Sequence, residues 1–383
     1  MTPKRILFLT TGLYAGGAEL MLLRLLSRLD RQRFMPSVIS LIQLGPVSEK
    51  IKQLEIPVRS LGMQPGRPNI ASIWRLVRWL RRDRPHIMQT WMYHADLLGG
   101  LAALLAGRIP IAWGVRHSDP LTQGYGPLTV PTVKLCARLS RWIPKRIVCC
   151  SEASRQAHVA FGYAVDKMLV IPNGVDLTAL RPDPEARRVA RQALAIPTEA
   201  PVIGLVGRFH PQKDHQNFVQ AARLIFSKRP SVHFVLCGEG VTWDNVELAA
   251  WIDQAGIRAN FRLLGRREDV PQLMASFDLA TSSSCFGESF ANVVSEAMSC
   301  GVPCVVTDVG DSAHIVGQTG IVVPPRDAAA LAQAWERMLN LGREQLVQTG
   351  LQARQRIKDH FDLPQIVDRY QTLFDEMTFM SVA

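Results

Sequence analysis

Several chemistries are missing from this chain of 383 residues. Its seven cysteines form no pair of Cys-x-x-Cys units and keep no regular spacing, which argues against zinc and against a disulfide framework. Scattered buried thiols suit a reducing compartment. The chain contains no Asp-x-Asp tripeptide, no helix-turn-helix or zinc-finger pattern and no low-complexity segment. Its longest apolar stretch, Leu97 to Gly107, is broken by Arg108. Spanning a bilayer takes about 20 residues, so this stretch reads as a buried helix. Lys4-Arg5 precede only Ile6 to Leu9, too short for a signal-peptide core and better suited to a strand.

What is present describes a globular protein of two domains. The apolar fraction is 47% and the charged fraction 20%, and the length exceeds one ordinary core. Charge is uneven. Residues 1–180 hold 24 Lys+Arg and 10 Asp+Glu, or +14; residues 181–383 hold 20 and 23, or −3; together they give the net +11. A basic front half suits an anionic membrane surface or another polyanion. The segment 71–84, ASIWRLVRWLRRDR, reads as a helix with Ile73, Leu76, Val77 and Leu80 on its apolar face. Trp74, Arg75, Arg78, Trp79, Arg81 and Arg82 make a flank able to lie on lipid. A second basic surface runs through Lys134, Arg138, Arg141, Lys145 and Arg146.

Short apolar strands alternate with helical segments in both halves, the pattern of doubly wound parallel sheets. Arg5 to Thr10 runs into a loop with Gly16 and Gly17, then a helix with Leu20, Leu23, Leu26 and Leu29 on one side. Gly16-Gly17 let backbone approach a ligand, and the helix start favours an anion. The loop is neither Gly-x-Gly-x-x-Gly nor a Walker loop. His94, and Arg116 to Asp119, follow strands and so fall at the sheet edge where ligands bind. Pro172-Asn-Gly174, with Pro182 and Pro184 beyond, marks the boundary between halves. The second half repeats the alternation from Val202. Its strands lead into Arg208 to Lys213, Gly238-Glu-Gly240 and Gly265-Arg266. The stretch Cys285 to Gly310 carries Glu288 and Glu296, seven residues apart. A helix from about Ser289 to Ser299 puts roughly 12 Å of rise between these carboxylates. At that distance they share neither a proton nor a metal, but could hold hydroxyls at two ends of one long ligand.

In chain order, GGAE at Gly16–Glu19, VGRFHPQK at Val206–Lys213, GEG at Gly238–Gly240 and the E-x(7)-E stretch of Glu288–Gly310 resemble glycosyltransferase family four. The resemblance implies a retaining, metal-independent enzyme with the GT-B fold, two Rossmann-like domains facing each other across a cleft, and no cofactor. It implies an acceptor domain over residues 1–175, a nucleotide-sugar domain over 176–362, and a final segment, 363–383, packing back on the first. It further implies that Glu296 binds ribose hydroxyls and Glu288 the transferred sugar. Main-chain N–H groups of Phe290, Ala291 and Asn292 would hold sugar and phosphate. Arg208 and Lys213 would neutralise the departing diphosphate. Gly238 belongs to the donor site, and Arg266 with Gly265 would meet the base. His94 would lie near the reacting sugar, and Gly16 and Gly17 near phosphate or acceptor. The family's common glycine is replaced here by Ala291. The expected partners are a nucleotide diphosphate-sugar, UDP-sugar ahead of GDP-sugar, and a lipid-linked or polysaccharide acceptor. The expected location is the cytoplasm, against the inner membrane face, with no nucleic acid bound. Competing readings are an epimerase or hydrolase of the same fold and, from another class, a basic nucleic-acid-binding protein.

Overall fold

The structure, a computed structural model, describes residues 2–14, 16–64, 69–118 and 128–379. Ala15 and Asp119, both in loops singled out above, lie outside them. The chain divides into two compact units, Met1–Gly174 with Leu363–Ala383, and Val175–Asp362.

The first unit alternates strand and helix. Its elements run β1 (Lys4–Thr10), α1 (Gly17–Arg28), β2 (Phe34–Ile42), α2 (Pro46–Gln53), β3 (Val58–Met63) and α3 (Ile70–Asp83). Then come β4 (Ile87–Trp91), α4 (Tyr93–Leu105), β5 (Ile111–Val115), α5 (Thr129–Leu139), β6 (Arg146–Cys149), α6 (Glu152–Ala160) and β7 (Met168–Val170). The strands are parallel, in the order β3-β2-β1-β4-β5-β6-β7. The chain builds outward from β1 in one direction, then returns to lay β4 on its other side. That reversal is a topological switch point.

The second unit contains α7 (Pro184–Ala193), β8 (Val202–Val206), α8 (His215–Lys228), β9 (His233–Cys237), α9 (Val246–Ala255), β10 (Phe261–Leu263) and α10 (Val270–Ala275). It continues with β11 (Leu279–Ser282), α11 (Asn292–Ser299), β12 (Cys304–Thr307), α12 (Ser312–Val316), β13 (Ile321–Val323), α13 (Ala328–Leu339) and α14 (Arg343–His360). Its parallel sheet runs β10-β9-β8-β11-β12-β13, with its own switch point between β8 and β11. The last helix, α15 (Leu363–Phe379), belongs to the first unit. Its Ile366, Tyr370 and Phe374 pack with Phe8 and Phe34 in one core.

Local chemistry sets the boundaries. Ser151, Asp183 and Asp327 each accept a hydrogen bond from a backbone N–H three residues on, capping α6, α7 and α13. The sequence reading passed over α7, although Asp183-Pro184 is a cap followed by a proline at the first helical position. Of the face expected on α1, Leu26 and the flanking Leu29 are buried, whereas Leu20 and Leu23 are only half-buried and Met21, Leu22 and Leu25 take the core. On α3, Trp79 leaves the exposed flank. Its ring packs on the sheet-side core and carries the Arg59 guanidinium 4.7 Å from its centroid.

Candidate active site

In the second unit the loops after β8 and β11 meet at the switch point. Lys213 ends a short 3-10 turn after β8, and its Nζ donates to Glu288 Oε1 in the loop after β11. Ser284 Oγ donates to the same oxygen at 2.8 Å. Thr307, at the end of β12, donates from Oγ1 to the Ser284 carbonyl at 2.5 Å. The two loops are also stitched through main chain. Ser283 Oγ donates to the Lys213 carbonyl at 2.7 Å, and the Cys285 N–H donates to the Gln212 carbonyl at 2.9 Å. Glu288 is only 7% exposed, so its charge is held by a specific partner rather than by bulk water. Beneath Lys213, the imidazole of buried His215 is pushed down to about 4, by burial first and by Lys213 second. It is therefore neutral at pH 7 and adds no competing cation.

Close backbone approach explains two glycines here. A Cβ on Gly238, which follows β9, would sit 2.0 Å from the Gly207 carbonyl oxygen. A Cβ on Gly310, at φ +61, would sit 2.2 Å from the Glu288 carbonyl oxygen. Hydrogen bonds continue the stack, from Gly207 N–H to the Cys237 carbonyl at 2.8 Å and from Gly238 N–H to the Gly265 carbonyl at 2.8 Å. The loops after β8, β9 and β10 are thus layered on one another, with Arg208 and Arg266 exposed on them.

Helix α11 begins later than the sequence suggested, at Asn292 rather than Ser289. The Ser289 carbonyl accepts the Asp311 N–H at 3.0 Å, and Phe290 packs into the core against Phe361, so this backbone is committed elsewhere. Glu288 is therefore a loop residue, and the 12 Å helical spacing does not describe the pair. Ala291 caps the helix without a side-chain acceptor, and the Val294 N–H donates to its carbonyl at 3.0 Å, so the first turn closes on main chain. Asn292 and Glu296, one turn apart, are half-buried while Val294, Ser295, Ala297 and Met298 are buried. The structure brings Lys213 and Glu288 into contact. It places Phe290 to Glu296 directly downstream and leaves Arg208 and Arg266 on neighbouring loops. Sequence reasoning missed Ser284, which donates to Glu288, Thr307, which holds Ser284, and Gly310, which packs on the Glu288 backbone. Gly310, two residues beyond Asp308 after a strand, carried the turn signal that could have found it.

The first unit has its own set at the β1/β4 switch point. Gly16 is the N-cap of α1, and Gly17 is exposed. Glu19 folds back, so that a Cβ on Gly16 would meet its Oε2 at 2.5 Å, and burial raises this carboxyl above its ordinary range. His94 is the second residue of α4, half-buried, its imidazole held below the usual value by burial. The turn before it runs through Met92 at φ +75, a strained conformation for a side-chain-bearing residue. Fully buried Asp96 fixes that turn. Its Oδ1 accepts Thr90 Oγ1 at 2.6 Å and the Gly114 N–H at 3.1 Å. The Met92 N–H donates to the Gly114 carbonyl at 2.8 Å.

Residues 200–341 match the family model described as Glycosyl transferases group 1, and residues 15–179 match Glycosyltransferase Family 4. The chain belongs to the family 4 glycosyltransferases. Its fold is GT-B. The crystal structure of Anabaena HepE in complex with UDP matches with a TM-score of 0.85 at 25% identity, covering 97% of this chain and 100% of that one. The same protein with UDP-glucose gives 0.84, at 25% identity and over 97% and 99% of the two chains. An Escherichia coli UDP-Gal:alpha-D-GlcNAc-diphosphoundecaprenol alpha-1,3-galactosyltransferase is 24% identical over 81% of this chain and 80% of its own length. A Nocardia farcinica (strain IFM 10152) D-inositol 3-phosphate glycosyltransferase is 28% identical over 72% of this chain and 59% of its own.

Among the described residues no group of three or more His, Cys, Asp or Glu side chains is placed to hold a metal ion. No helix among them is long and apolar enough to cross a membrane. A cavity of about 450 Å³ does open in the second unit, but at the opposite, amino-terminal ends of the strands. Its Arg187 and Arg191 are already engaged by Asp278, at 2.5 and 2.7 Å, and by main-chain carbonyls. It therefore offers an anion little.

Proposed function

We propose that this glycosyltransferase moves a sugar from a UDP-sugar to a lipid-linked acceptor, with retention at the anomeric carbon and without a metal. The observation that carries the reading is the Lys213–Glu288 pair at the β8/β11 switch point, on the loop that leads into α11. An ammonium and a helix N-terminus suit a diphosphate, and adjacent carboxylates suit hydroxyls. In this reading Lys213, with Arg208, neutralises the leaving diphosphate. Glu288 takes the sugar hydroxyls and Glu296 the ribose. The N–H groups at Phe290, Ala291 and Asn292 hold sugar and phosphate, and Gly238 with the Gly265–Arg266 turn accommodates the nucleotide. The first unit, with Gly16, Gly17 and His94, receives the acceptor. UDP is supported by the HepE complexes, and a lipid diphosphate acceptor by the E. coli relative's name. The Nocardia relative is named for a small inositol phosphate, so acceptor class varies among relatives.

Neither signature glutamate is spared from hydroxyl binding to act as a nucleophile. The acceptor oxygen then attacks the anomeric carbon on the face from which the diphosphate leaves. The carbon–phosphate oxygen bond breaks as the new glycosidic bond forms, and the acceptor's hydroxyl proton passes to the departing phosphate. Developing charge on that phosphate is met by Lys213 and the α11 dipole. The test is product analysis with a panel of UDP-sugars and a polyprenyl-diphosphate sugar acceptor, with and without EDTA. An α-linked product from an α-linked donor, undiminished by EDTA, is expected. Sugar release or epimerisation without acceptor would replace this reading by a hydrolase or epimerase. A trapped glycosyl–enzyme adduct would overturn the single-displacement step.

A further inference from the structure

Helices α3, α4 and α5 cover one face of the first sheet. Leu76, Val77 and Leu80 of α3, Ala95, Ala102 and Ala103 of α4, and Val133, Cys136 and Ala137 of α5 share one core with the strands. On α4 the sheet side is further marked by Gly99 and Gly100. A Cβ on either would meet Leu9, or Ile143 and Trp113, within 3.3 Å. The far side of α4 is therefore fixed by helical periodicity. It carries His94, Leu97, Leu101, Leu104 and Leu105, at i, i+3, i+7, i+10 and i+11; His94, Leu97 and Leu101 are half-buried, the two leucines against the core, and the stripe opens to solvent at Leu104 and Leu105. Leu104 and Leu105 are 43% and 48% exposed. This outward stripe bears no charged side chain, which is unusual for the solvent side of a helix.

The flanking helices carry the opposite composition. Exposed Arg75, Arg78, Arg81 and Arg82 lie on α3, and exposed Lys134 and Arg138 lie on α5, followed by Arg141 and Lys145. Across the described residues from 69 to 146 the acidic side chains are Asp83 and Asp96. Asp83 is paired with Arg59 and Arg82, and Asp96 is fully buried. Trp74 on α3 and Trp142 just past α5 are 54% and 73% exposed. An apolar ridge between two cationic rows, with exposed tryptophans on both sides, is the composition of a surface that rests in an anionic lipid interface.

We infer that the α3–α4–α5 face of the first unit docks on an anionic bilayer, with the α4 stripe entering the headgroup boundary and the arginine rows pairing with lipid phosphates. The stripe begins at His94, at the ligand edge of the sheet, so a lipid-linked acceptor held in that bilayer would come alongside a residue assigned to receive it. This last step rests on the lipid-linked acceptor proposed above; the docking itself does not.

The test uses the full chain and cosedimentation with phosphatidylcholine vesicles, with and without phosphatidylglycerol. UDP-induced thermal stabilisation is measured in parallel. Binding is expected only with phosphatidylglycerol, weakened by added salt. It should fall at least about tenfold in Leu104→Glu/Leu105→Glu/Trp142→Glu and in Arg78→Glu/Arg138→Glu, each exposed enough to fold. Unchanged UDP stabilisation shows that each variant is folded. The conservative pair Trp74→Phe/Trp142→Phe should lose most of the fluorescence quenching caused by brominated lipid. Absence of wild-type binding at low salt overturns the proposal, as does equal binding of wild type and both charge-bearing variants. A concentration-dependent dimer abolished by Leu104→Glu would assign the face to a second copy instead. Vesicle binding without UDP stabilisation would leave the docking standing and remove the functional reading.

Discussion

At the β8/β11 switch point an ammonium and a carboxylate are held in contact, and the loops bearing them are layered so closely that two glycines have no room for a methyl group. At the β1/β4 switch point the groups that reach the edge are a glycine pair and a half-buried, neutral-leaning histidine. The buried support there is a carboxyl, Asp96, that holds a strained turn from behind. Under the function proposed above, the same topology serves two purposes. One edge presents fixed opposite charges, which suits a ligand whose diphosphate does not vary. The other presents shape and backbone, which suits an acceptor that differs between relatives.

The largest test of that contrast is charge removal. Lys213→Ala is expected to lower kcat/KM by about 10³, the scale of losing one preorganised donor to the leaving group. Glu288→Gln keeps the shape and should act chiefly on kcat. The two changes should be far from additive, since each removes the other's partner. His94→Ala, measured in the same transfer assay, should cost less than Lys213→Ala. Equal losses would erase the contrast between a charged edge and a shaped one.

Steric tests come next. Gly310→Ala places a methyl 2.2 Å from the Glu288 carbonyl oxygen, so the carboxylate's loop must move. A shift of about 1 Å at a positioned group costs about 10² in rate. Gly114→Ala is the counterpart in the first unit, with its Cβ 2.3 Å from the Thr90 carbonyl oxygen. Gly310→Ala should raise the KM for the UDP-sugar. Gly114→Ala should leave UDP affinity, read by calorimetry, unchanged while acceptor kinetics suffer. If Gly114→Ala weakened UDP binding as much, the division of labour between units would be wrong.

The same contrast governs what could be read without coordinates. The alternation of strands and helices, and the loops bearing Lys213 and Glu288, follow from periodicity and from residue types whose chemistry is fixed. The start of α11 did not. Local propensity favours helix from Ser289, but the Gly310–Asp311 turn takes that backbone by hydrogen bond, a contact no local pattern reveals. Trp79 was misassigned for a similar reason. Helical spacing put it beside Trp74, whereas its ring packs on the core with Arg59, from β3, lying over it. Ser284 and Thr307 carry no local signal, and only the approach of β12 to β11 lets Thr307 hold the Ser284 carbonyl while Ser284 holds Glu288. Sequence reports what a segment prefers, and the misses fall where a distant element overrules it.

The smallest effect concerns Asp96, and its sign can be worked out. Burial raises its carboxyl to about 7, opposed by hydrogen bonds from Thr90 and Gly114 and by the charge of Arg116. In the unfolded chain it titrates near 3.8. Between about pH 4 and pH 7 the folded form therefore keeps a proton that the unfolded form has lost. Stability contributed by this group is full below pH 4, declines as pH rises, and is flat above pH 7. The slope is at most about 1.4 kcal/mol per pH unit. Asp96→Asn keeps the Oδ1 acceptor for Thr90 and Gly114 but cannot titrate. Thermal melts across pH 4 to 8 should show the wild type losing stability relative to Asp96→Asn up to about pH 7, then running parallel. Parallel curves for wild type and Asp96→Asn throughout would mean that Asp96 stays ionised. The first switch point would then hold a buried charge as the second does, and the contrast between them would narrow to which group faces the ligand.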